Sequence, residues 1–142
     1  MGFKVFEKGS APVSTVPAVT IQKRGLFSLN DAAYRLLGEP EGIQFLWDAE
    51  ERLIALKPTS KEDLNSYPAR RQSSSKDTGP VLIAGTMLTR YIGLDTTQAK
   101  RWTPVMRDGL LIVDLKQEGA LVISNRDRRR VQTDGAEGQA EG

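Results

Sequence analysis

The chain contains no cysteine and no histidine. The first absence excludes a disulfide framework and a thiolate nucleophile, the second an imidazole base or proton switch, and the two together a Cys/His zinc site. Long apolar runs are missing too: nothing approaches the roughly 18 residues of a membrane helix. Met1-Gly2-Phe3-Lys4-Val5-Phe6-Glu7 lacks the apolar stretch of a signal peptide, so the expectation is a cytoplasmic protein with no membrane partner. Nor does one charge dominate, since 20 Lys and Arg face 18 Asp and Glu for a net +2. A global field that weak does not identify a nucleic-acid binder, and only distribution can.

Carboxylates, lysines and tyrosines remain for catalysis. Asp48, Glu50, Glu51, Asp108 and Asp114 fall at predicted turns and strand ends, where turn propensity already accounts for them. No two stand at a spacing that implies a shared proton or a metal. Gly85-Thr86-Met87-Leu88-Thr89 lacks the glycines and lysine of a phosphate loop. The expectation is therefore no enzyme, no metal and no cofactor, which leaves binding.

What is present is ordinary globular composition, 39% apolar and 27% charged, enough for one domain or two very small ones. Residues 1–18, with Gly2, Gly9, Pro12 and Pro17, read as an irregular arm. A first ordered unit spans 19–58, a polar linker or flexible loop 59–80, and a second β-rich unit 81–124. Residues 125–142 hold a single aliphatic side chain larger than alanine, Val131, and read as a disordered tail carrying the cluster Arg126, Arg128, Arg129 and Arg130.

In the first unit Val19 to Gln22 alternates as a strand, and Gly25 permits a bend. Asn30 is placed as a helix N-cap, Asp31 at the positive end of the dipole and Gly38 as the stop, with Ala32, Ala33, Leu36 and Leu37 on one face. Ile43, Phe45 and Trp47 alternate in a strand that returns as Leu53 to Lys57. The second unit repeats the order: strand Val81–Ala84, a short helix Met87 to Gly93, then a hairpin of Trp102–Met106 and Leu110–Leu115 around Asp108-Gly109. A last strand covers Ala120 to Ser124. One unit of about 40 residues is too small for a core of its own. Two that interleave their strands, within one chain or between two, close a small barrel-like body. The fold class expected is mainly β, from tandem strand–helix–hairpin units with short helices.

Gly25, Leu37-Gly38, the turn glycine Gly42 and the closing Leu53-Ile54-Ala55-Leu56-Lys57-Pro58 hold one register. In it, residues 19–58 resemble the swapped-hairpin DNA-binding domain of the AbrB/SpoVT/MazE family of transition-state regulators and antitoxins. The chain departs from that pattern at Leu26, where the family usually has a basic residue, and at Asn30, where it has proline. Arg35 matches the helix-end arginine used on DNA. The resemblance implies a dimeric or tandem-unit transcription regulator that binds double-stranded DNA. Lys23, Arg24 and Arg35 are its candidate phosphate and groove contacts, expected near one another if strand and helix meet at the Gly25 loop. Arg90, Lys100 and Arg101 are the corresponding cations of the second unit, with Tyr91 and Trp102 read as core side chains. The rival class is a protein-interaction or assembly module, antitoxin-like or structural, that keeps the fold without binding DNA. A third reading, single-stranded nucleic acid on the sheet, requires Trp47, Tyr91 or Trp102 exposed.

Overall fold

The computed structural model describes residues 16–73 and 79–122. The Arg126–Arg130 cluster, the tail and most of the N-terminal arm lie outside the described residues. In chain order the elements are β1 (Val19–Ile21), a 3-10 turn (Lys23–Gly25), β2 (Leu26–Leu29), α1 (Asp31–Leu36), β3 (Gly42–Asp48) and β4 (Leu53–Thr59). They continue with β5 (Tyr67–Pro68), β6 (Arg70–Arg71), β7 (Val81–Ala84), α2 (Thr86–Ile92), β8 (Lys100–Trp102), β9 (Val105–Arg107), β10 (Leu110–Asp114) and β11 (Ala120–Leu121). The fold is mainly β, with two short helices.

Two antiparallel sheets carry it, ordered β11-β8-β1-β2-β7-β6 and β5-β3-β4-β10-β9, and among the described residues they do not join into a closed barrel. Corresponding strands of the two units pair with each other twice. Leu26 to Leu29 of β2 face Ala84 to Val81 of β7, and Leu53 to Leu56 of β4 face Asp114 to Leu111 of β10. The core is therefore shared. Phe27, Leu29, Ile43, Ile54 and Leu56 from the first unit and Val81, Ile83, Leu111 and Val113 from the second are all buried in one cluster.

Local chemistry explains the elements. Asn30 caps α1, its Oδ1 accepting from the Ala33 amide at 2.9 Å, while it also accepts from the Ala18 amide at 3.0 Å and donates to the Val16 carbonyl at 2.7 Å. In β3 the alternation holds: Ile43 is buried, and Phe45 and Trp47 pack against the core. Asp108 and Gly109, with φ of 52° and 78°, make the turn between β9 and β10, where two consecutive positive φ values match the twist of the strands they join.

Four expectations are corrected. Leu36 is 46% exposed, so α1 buries Ala33 and Leu37, one turn apart, and turns Leu36 outward. Tyr91 is 81% exposed, because Leu88 and Ile92 already supply the core side of α2; Trp102 is buried as expected. The stretch Trp102–Met106 is not one strand. Lys100–Trp102 pairs with β1, whereas Val105–Arg107 pairs with β10, and Thr103-Pro104 carries the chain from one sheet to the other. The last strand covers only Ala120–Leu121, and Ser124 lies outside the described residues. In the polar segment between the units, β5 pairs with Gly42 and Ile43, and β6 with Val81 and Leu82.

Candidate functional site

The Lys23–Gly25 connection of the first unit sits on the first residue of the second unit's helix. Thr86, at the start of α2, donates its hydroxyl to the Arg24 carbonyl at 2.6 Å, and the Gly85 amide donates to the Gly25 carbonyl at 3.1 Å. Gly25 has φ of 88°, and a Cβ there would lie 2.8 Å from the Thr86 Cα and 2.5 Å from the Thr89 hydroxyl. Only glycine permits that approach. The Lys23–Gly25 turn is thereby drawn onto α2.

Arg90 lies four residues beyond Thr86 and shares its side of α2, where side chains one turn apart are neighbours. Lys100 pairs with Ile21 at the end of β1 that leads into the same turn. Lys23, Arg24, Arg90 and Lys100 thus gather at one end of the β1–β2–β7 sheet, drawn from both units. Arg24 and Arg90 are exposed and make no ion pair among the described residues.

Arg35 is not part of that group. The helix that meets the Gly25 turn is α2, whereas α1 starts from the opposite end of β2, about 10 Å along the strand. Its first residue, Asp31, is held from the polar segment between the units. Arg71 binds the Asp31 carboxylate and donates to the Gly79 carbonyl at 2.9 Å and to Glu39 at 3.3 Å. Its guanidinium also lies over the Tyr34 ring, 5.1 Å from the centroid. The Arg71 hydrogen bond holds Asp31 below the usual carboxylate range against the opposing effect of burial, and the Gly79 amide adds to it. Arg35 approaches the same carboxylate only to 3.9 Å and stays 64% exposed. Burial pushes the Tyr34 hydroxyl up, and it donates to the Pro40 carbonyl at 2.6 Å.

Arg101 occupies a third place, the outer face of the sheet. The pairings Arg101–Thr20, Thr20–Ser28, Ser28–Leu82 and Leu82–Arg70 form one row across five strands, with an arginine at each end and uncharged residues between. Thr20, Ser28, Arg101 and Thr103 line a hollow of about 530 Å³ there, together with Val16 and Pro17. The chemistry available is that of cations and hydroxyls, suited to anionic oxygens.

Sequence reasoning placed the basic turn and the helix arginines but missed which helix each turn would touch, and missed Arg71 altogether. The equal separation of Asp31 from Thr86 and of Gly38 from Gly93 is the signal that pairs the two helix starts. No helix of the described residues is long and apolar enough to cross a membrane. No family model, no curated protein and no solved structure matches this chain.

Proposed function

We propose that the chain is a duplex-DNA-binding regulator of the AbrB-like type. Its phosphate contacts come from Lys23, Arg24, Arg90 and Lys100 at one end of the sheet, Arg101 on the outer face and Arg35 at the other end. The observation that carries this reading is the bond from Thr86 to the Arg24 carbonyl, which draws a basic turn onto the helix that carries Arg90. Like charges held together repel, and Arg24 and Arg90 find no acid among the described residues, so an external anion stabilises the arrangement.

One chain supplies both units, so the proposed binding body needs no second copy, and the homodimer implied by the resemblance reduces to the tandem arrangement. The single-stranded alternative retains one exposed aromatic, Tyr91, because Trp102 is buried and the Arg52 guanidinium lies 5.4 Å from the Trp47 ring centroid. Titration of labelled duplex at low salt tests the proposal. The expected result is a shift that weakens steeply with salt and is competed by duplex rather than single strands. No shift at the lowest salt leaves the protein-interaction module in its place.

A further inference from the structure

Ser28 is the smallest side chain in the row Arg101–Thr20–Ser28–Leu82–Arg70, and the hollow on the outer face lies over it. Val16 to Ala18 form one wall, which Asn30 fixes with three hydrogen bonds. Its Oδ1 accepts from the Ala18 amide at 3.0 Å, its Nδ2 donates to the Val16 carbonyl at 2.7 Å, and its own amide donates to the Ala18 carbonyl at 3.2 Å. At about 530 Å³ the hollow falls within the roughly 300–1,000 Å³ of ordinary small-ligand pockets. Its polar groups are unspent. Ser28 is 9% exposed, yet its hydroxyl makes no hydrogen bond among the described residues. No unpartnered side-chain oxygen among those residues is sealed from solvent, so the Ser28 hydroxyl keeps an opening into the hollow that it lines. Thr20 and Thr103 line it with hydroxyls that bond no described residue, and Arg101 makes no ion pair there. No acid lines it among the described residues.

We propose that this hollow binds a small phosphate monoester. The phosphate lies against Arg101 and the hydroxyls of Thr20, Ser28 and Thr103, and the organic remainder runs along Val16 and Pro17. A guanidinium fork and three rotatable hydroxyls supply donors in several directions, which matches a tetrahedral oxyanion better than a planar carboxylate. A monoester presents three free acceptor oxygens to such a set, whereas the diester of a nucleic-acid backbone presents two. The register brings the donors together as well. Directly opposite residues of antiparallel strands hold their Cβ atoms about 4.5–5.5 Å apart, so the Arg101–Thr20 and Thr20–Ser28 pairs set their side chains within reach of one phosphate. Of the cations assigned to DNA this site uses Arg101 alone, and it stands whether or not that reading does.

Ribose 5-phosphate, ribose and dimethyl phosphate, each titrated into the full chain and followed by backbone amide chemical shifts, test the site. The expected result is a saturable shift centred on Thr20, Ser28, Arg101 and Thr103 with ribose 5-phosphate, severalfold weaker binding of dimethyl phosphate and none of ribose. Thr20→Val and Ser28→Ala remove hydroxyls that bond no described residue, so neither should lower the melting temperature. Each should weaken ribose 5-phosphate by about tenfold, the share of one hydrogen bond to a charged group. Arg101→Gln should weaken it further, and Arg107→Gln, exposed on the other sheet, should leave it unchanged. No saturable shift, shifts spread evenly over the basic surface, or native affinity in both hydroxyl variants overturns the proposal. So does equal binding of dimethyl phosphate, which would make a nucleic-acid backbone the occupant.

Discussion

At the residue scale, the most consequential pair is Asp31 and Arg71. Both are largely shielded, with side chains 8% and 18% exposed, and Arg71 ties α1, Glu39 and the Gly79 carbonyl together. Removing one member of such a pair strands the other, so Arg71→Met is expected to cost about 3 kcal/mol, read as a lower chemical-denaturation midpoint. The pH dependence follows from the lowered pKa of Asp31. A depressed carboxylate contributes its stability in full above its ordinary value of 3.8 and loses it as pH falls through the lower folded value. Acid titration of stability should therefore be steeper below that value in the native chain than in Asp31→Asn; parallel curves would refute the assignment. None of this was legible in the sequence. Asp31 carried a local signal as a helix-start acid, whereas Arg71 stood in a polar stretch forty residues away, and no local pattern joins two such positions. Gly25 was legible as a bend, but its close approach to Thr86 depends on the other unit.

At the element scale, the two helices are held by different means. α1 has a side-chain cap, and Asn30 also secures Val16 and Ala18 ahead of β1, so Asn30→Ala is expected to cost about 1–2 kcal/mol. α2 has no side-chain cap and depends on the Gly25 turn. Thr86→Val, which keeps the shape and removes the hydroxyl, should cost about 1 kcal/mol. It should also loosen the basic turn, visible as faster amide exchange at Gly85, whose partner is the Gly25 carbonyl. Helices, hairpins and their turns could be read from caps, alternation and the Asp-Gly pair, because each signal lies within a few residues. The two-residue strands β5 and β6 could not, since pairing with distant β3 and β7 defines them and their own residues do not. Thr103-Pro104 is similar: the break was signalled by a proline that cannot donate to a ladder, but apolar residues on both sides read as one run.

On the scale of the whole molecule, neither unit owns its core. The β2–β7 and β4–β10 seams bury side chains from both halves, which predicts a single cooperative transition. Trp47 lies in the first unit and in one sheet, Trp102 in the second unit and the other sheet. Trp47→Phe and Trp102→Phe isolate the two fluorescence probes, and the expected outcome is that each reports one transition with no second, later step. Leu56→Ala, at the β4–β10 seam, should lower stability by about 2–5 kcal/mol, shifting the signals of both tryptophans together. This interdependence was legible from size, because forty residues cannot bury enough surface alone. Which cations it would unite was not, because the crossing of turn and helix between units is a property of the paired body.

Central to the proposed function is a phosphate-binding surface that this crossing builds from Arg24 of one unit and Arg90 of the other. The slope of log affinity against log salt for a short duplex measures it most directly. Arg24→Ala and Arg90→Ala should each lower that slope by about 0.9, the share of one neutralised phosphate, and the double variant by about twice as much. Slopes that match the native chain in all three variants, or a duplex that is never bound at the lowest salt, would contradict it.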